Sequence, residues 1–124
     1  MRRILAFSAI VEVAAGVALM IVPAVALALL AGGAVSDAAL PLGRCFGIAI
    51  LALGIACWPA RQSAESRPPA YRGLLIYNGL IALYLAAWGI SGHWKGLLLW
   101  PAATLHAAVA LLLILASRGT RRPV

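Results

Sequence analysis

Charge is what this chain has least of. Of its 124 residues only 10% are charged, and the acids number three. Soluble domains carry about 25% charged residues, so too little is present here to cover a water-facing surface. An ordinary soluble globule is excluded. Cysteine is scarce as well. Cys45 and Cys57 lie about 18 Å apart on one helical run, too far for a mutual disulfide, and they are not metal-spaced. Both read as small packing residues. Two histidines, His93 and His106, fall in a loop and a run respectively, so a facing pair for haem is missing. No Ser-His-Asp set, glycine-rich phosphate loop or carboxylate pair occurs. The expectation is a chain without catalytic activity, cofactor or metal.

What the chain has is apolar length. The hydrophobic set makes up 65% of it, against about 45–50% in soluble domains. That much hydrophobicity also excludes a disordered tail. A bilayer core of about 30 Å takes roughly 20 apolar residues in a helix. Four runs meet that length: 4–30, 40–58, 73–90 and 97–117. The predicted fold is all-α, an integral membrane bundle of four transmembrane helices forming one domain over residues 1–124. The first run opens with Arg2-Arg3 and has Ala-x-Ala at Ala24 and Ala26, as a signal peptide has. Its apolar stretch is far longer than the usual 7–15 residues and is interrupted by Glu12, so it reads as a helix. Pro23 must kink or stop it, because proline lacks an N–H and clashes with the carbonyl four residues back. Pro59, Pro68 and Pro69 mark a surface connection over 59–72.

The ten basic residues punctuate these runs. Arg2, Arg3, Arg61, Arg67, Arg72, Arg118, Arg121 and Arg122 flank one side, and only Arg44 and Lys95 the other. Basic short loops stay cytoplasmic, so both termini are expected in the cytoplasm. The positive excess is then topology and contact with anionic membrane lipid, not nucleic-acid binding. Trp88, Trp94 and Trp100 collect at the predicted outer boundary, with Trp58 and Tyr71 at the inner one, where amphipathic rings prefer to sit.

Small residues let membrane helices approach closely. Gly43, Gly47 and Gly54 form one such face. Gly79, Ala82, Ala86 and Gly89 form another, Ala103, Ala107 and Ala110 a third, and Ser8, Ala9, Glu12, Ala15 and Gly16 a fourth. Near the outer boundary Asp37 is the simplest partner for Arg44, with lipid phosphate as the alternative.

Ionisable groups at depth are costly and are candidates for function. Counting 1.5 Å per residue, Glu12, Asn78, Tyr77, Tyr84 and His106 fall at depths that allow them to meet in the bundle, with Ser8 and Thr104 in register. No Lys or Arg matches the depth of Glu12. Its carboxyl is therefore either protonated and hydrogen-bonded, or paired with a protonated His106. A proton-linked site and a buried contact that fixes helix order are both open.

The runs Ala9-Ile10-Val11-Glu12-Val13 and Tyr84-Leu85-Ala86-Ala87-Trp88-Gly89 resemble the small multidrug resistance transporters, in their proton-coupled glutamate and third-helix aromatics. The resemblance covers about a tenth of the chain. The Tyr-to-Trp spacing, the glycines, the longer loops and the charge bias all depart from that family. A broader resemblance is to small four-helix (tetraspan) bacterial membrane proteins. It is carried by Gly43-Arg44 through Cys57-Trp58-Pro59, by Tyr77-Asn78, and by Leu99-Trp100-Pro101 to His106, and it implies a bacterial inner membrane and no activity. The function expected first is a non-enzymatic accessory or assembly subunit of a larger membrane complex, docking on other membrane subunits or on itself. The alternative is a proton-coupled carrier, or a lipid or small-molecule binder, using Glu12.

Overall fold

The computed structural model describes residues 1–59 and 69–119, and among these it contains helices and no strand. They are α1 (Arg2–Ile21), α2 (Pro23–Ala31), α3 (Ala39–Ala56), α4 (Pro69–Ile90) and α5 (Leu99–Gly119). Four of them, all but α2, are long and apolar enough to cross a membrane.

The first run is thus two helices rather than one. Pro23 forces its predecessor out of the helical region, and Val22 takes φ −128°, ψ 56°. Its N–H still reaches the Ala18 carbonyl at 2.9 Å. Pro23 then opens α2 at the first helical position, where a missing N–H costs nothing. Gly32 closes α2 in the left-handed conformation, φ 83°. The fourth helix of the chain begins earlier than the expected residue 73, because Pro69 is also tolerated in a first turn.

α1 and α3 run antiparallel and share the most intimate contact of the molecule. Gly16 lies against the Gly47 carbonyl and the Leu51 N–H, and Gly54 against the Ala9 carbonyl. A Cβ built on Gly16, Gly47 or Gly54 would stand 2.7–2.8 Å from those backbone atoms. Gly43 continues the face toward Leu27 and Pro23 of α2. The glycine face of the second run thus lies against α1 at Gly47 and Gly54 and against α2 at Gly43. α4 and α5 form the second antiparallel pair, with Gly89 against Trp100. Gly79 departs from expectation. Nothing lies within 4 Å of its would-be Cβ, so it seals no interface within the chain. Ala103 and Ala110 are buried while Ala107 is exposed, so the fourth-run alanines do not act as one face either.

The two pairs meet through α1, which touches both α4 and α5. At the end of the bundle that carries the chain termini, all four long helices join one apolar cluster. Leu5, Cys57, Tyr71, Leu74, Val109 and Leu113 make it up. Tyr71, expected at an interface, is buried there. At the far end the apolar cluster is Leu85, Leu99 and Ala103, all from the second pair.

Candidate functional site

The expected single face of α1 divides. Ala9 and Gly16 turn to α3, whereas Ser8 and Glu12, one turn apart, turn to α4 and α5. Between the latter helices sits a buried polar cluster. Asn78 is 1% exposed, and its amide nitrogen donates to Ser8 Oγ at 3.1 Å and to the Leu74 carbonyl at 2.8 Å. His106 Nδ1 lies 2.7 Å from Asn78 Oδ1. An amide oxygen only accepts, so that ring nitrogen carries a hydrogen and donates it. Tyr77 meets the His106 ring edge-on, centroids 5.8 Å apart. Three helices are tied by one chain of hydrogen bonds, Ser8 to Asn78 to His106.

Glu12 stands beside this chain and outside it. It is 0% exposed. Its Oε1 lies 4.0 Å from His106 Nδ1, beyond hydrogen-bond reach. Neither carboxyl oxygen has a hydrogen-bond partner of good geometry. Tyr77 and Asn78 are the polar groups that approach it. Among the described residues no Lys or Arg side chain shares the cluster, which leaves Glu12 either neutral or facing a charged imidazole.

Helix geometry places the three key groups near mid-bundle. At 1.5 Å per residue, Glu12 is roughly 15 Å from the start of α1, Asn78 roughly 14 Å from the start of α4, and His106 roughly 20 Å from the end of α5. The added first turn of α4 is what brings Asn78 level with Glu12.

Four of the five candidate polar residues are therefore assembled: Glu12, Asn78, Tyr77 and His106. Tyr84 is not. It lies two turns beyond Tyr77 and is 49% exposed. There it packs with Trp88 and Trp94 at centroid distances of 5.8 and 6.1 Å, with His93 against Trp88. Thr104 also stays outside, bonded to the Trp100 and Pro101 carbonyls of its own helix. Asp37 and Arg44 are both exposed, and among the described residues no ion pair joins them. Arg44 is exposed on α3, one position from the packed Gly43. Arg61, Arg67, Arg121 and Arg122 lie outside the described residues.

Sequence reasoning missed Gly96. The last carbonyls of α2 have no helical partner, and the segment before α5 supplies one for each. The N–H groups of Lys95, Gly96 and Leu98 donate to the carbonyls of Ala31, Leu30 and Leu29 at 2.9, 3.2 and 2.9 Å. Gly96 is buried against the Leu29 and Leu30 carbonyls with no space for a Cβ. A glycine in a short connection was the available signal, but nothing in the sequence named its partner.

No protein-family model, curated protein or solved structure matches the chain. The site is therefore argued from its own geometry.

Proposed function

We propose that the protein is a proton-coupled small-molecule carrier of the bacterial inner membrane, with both termini cytoplasmic and Glu12 as its proton-binding group. The observation that carries this reading is the isolation of Glu12. A carboxyl with no exposure, approached by Tyr77 and Asn78 but in good hydrogen-bond geometry with neither, has lost water with little compensation, a loss of about 1–3 kcal/mol or more when charged. A group kept only to fix helix order has no need of that position, since the Ser8–Asn78–His106 chain already ties the helices together. Glu12 is free to take and release a proton, with the His106 ring 4.0 Å away to sense the change.

The accessory-subunit reading drew its positive support from small-residue faces open for docking. On those faces Gly16, Gly43, Gly47, Gly54 and Gly89 are occupied inside the chain, while among the described residues Gly79 has open space and Ala107 is exposed. The carrier reading is preferred for that reason.

Infrared difference spectroscopy of the protein in lipid tests it. A protonated-carboxyl band should appear and vanish as pH is changed, and Glu12→Gln should remove it while leaving thermal stability unchanged or higher. A wild-type protein without such a band, or a Glu12→Gln variant that loses the fold, overturns the reading. Transport follows from collapse of an imposed pH gradient in proteoliposomes on adding a panel of small solutes, a response Glu12→Gln should abolish.

A further inference from the structure

Glu12, Asn78 and Ser8 are buried and His106 is 12% exposed at its side chain. Nothing larger than a proton or a water molecule reaches Glu12 unless helices part. The manner in which the two helix pairs are joined differs along the bundle. At the terminal end they share the apolar cluster of Leu5, Cys57, Tyr71, Leu74, Val109 and Leu113, which excludes water. At the far end the apolar cluster belongs to the second pair alone. Three backbone hydrogen bonds, from Lys95, Gly96 and Leu98 to the end of α2, join the pairs there.

We propose that this clasp between the end of α2 and the Lys95–Leu98 segment is the gate through which protons reach Glu12, from the far end, while the apolar cluster shuts the terminal end. The inference rests on the reading of Glu12 as a proton site, and adds the side and the device of its access.

Backbone hydrogen bonds at an exposed helix end are individually weak in net terms, because water replaces them when they break. Parting the apolar cluster would instead expose six packed side chains at once. Local openings follow the segments with few buried apolar contacts. Lys95, Leu97 and Leu98 are exposed, so the clasp lies at the surface of the bundle rather than in its core. α2 suits the role of a moving piece. Pro23 separates it from α1, and Val22 provides a non-helical joint. Gly96 lets the two backbones close without a side chain between them.

The groups that face Glu12 are few. His106 comes from α5, Tyr77 and Asn78 from α4, and Cys57, at the end of α3, is within electrostatic range. Ser8 lies on its own helix, and α2 contributes no titratable side chain. The charged residues at the far end, Asp37, Arg44 and Lys95, are all exposed. A proton passing the clasp thus meets no other carboxylate before Glu12 among the described residues.

The test follows deuterium exchange of the Glu12 carboxyl by its infrared band, in wild type, Gly96→Ala, Lys95→Pro and Gly47→Ala. Gly96→Ala wedges a methyl into the clasp, and Lys95→Pro deletes the N–H that reaches Ala31. Gly47→Ala loosens the α1–α3 seam and serves as a control for general destabilisation. Exchange about tenfold faster in the two clasp variants, and within twofold of wild type in Gly47→Ala, is the expected result. Clasp variants that fold but exchange at the wild-type rate overturn the proposal, and so does equal acceleration in all three. Should Gly96→Ala fail to fold, Lys95→Pro decides. If wild type shows no exchanging carboxyl band at all, it is the proton-site reading that has failed.

Discussion

At the scale of single residues, Asn78 and Glu12 sit in the same cluster and do opposite things. Asn78 uses both amide hydrogens and its oxygen, which is nearly its full capacity. Its replacement by leucine leaves the Ser8 hydroxyl and the His106 N–H buried and unpaired. Each such orphan costs about 1–3 kcal/mol. Asn78→Leu should therefore lower the melting temperature clearly in a detergent thermal scan, whereas Glu12→Gln should not lower it. Equal losses in the two variants would mean that Glu12 helps to bind the helices together. The distinction was not legible in the sequence. Depth counting put Glu12, Asn78, Tyr77 and His106 within reach of each other, but periodicity alone does not fix a helix's rotation. Tyr84 shows the limit of that method, since its depth allowed contact while its position two turns past Tyr77 carried it into the far-end aromatic cluster.

At the scale of elements, glycines with the same appearance in sequence have unlike surroundings. A Cβ on Gly47 would stand 2.8 Å from the Gly16 carbonyl and 2.9 Å from Leu19 Cβ. Backbone cannot yield as a side-chain tip can, so overpacking of about 1–3 kcal/mol is expected for Gly47→Ala. Gly79 has open space, and alanine there gains up to about 1 kcal/mol of helix propensity. Thermal melts of the two variants should therefore shift in opposite directions. A destabilising Gly79→Ala would reveal that this face is covered by another chain, and so would revive the docking role. The four long helices themselves were plain in the sequence, because length and hydropathy alone specify them. Pro23 announced a break without saying whether the chain kinks or restarts. The outcome depended on α2 finding carbonyl partners in the Lys95–Leu98 segment, a pairing about 65 positions away in the chain and invisible to local pattern.

At the scale of the whole molecule, charge and packing describe the same asymmetry. Arg2, Arg3, Arg72 and Arg118 lie at the terminal end of the bundle, beside the closed apolar cluster, and Arg44 and Lys95 at the far end, beside the clasp. In the sequence, eight basic residues stand before the first run, between the second and third, or after the fourth, and two in the other connections. Each is worth about 1 kcal/mol near an anionic surface, and basic loops resist translocation. The terminal end should then face the cytoplasm, which leaves the clasp and its route to Glu12 on the opposite side. A green fluorescent protein fused after Val124 should fluoresce, while alkaline phosphatase fused at the same point should stay inactive. The reverse pattern would place the clasp in the cytoplasm, and Glu12 would then draw its protons from inside the cell rather than from outside. Because the driving force for any proton-coupled carrier depends on which compartment loads the carboxyl, this fusion pair fixes the side from which Glu12 takes its proton.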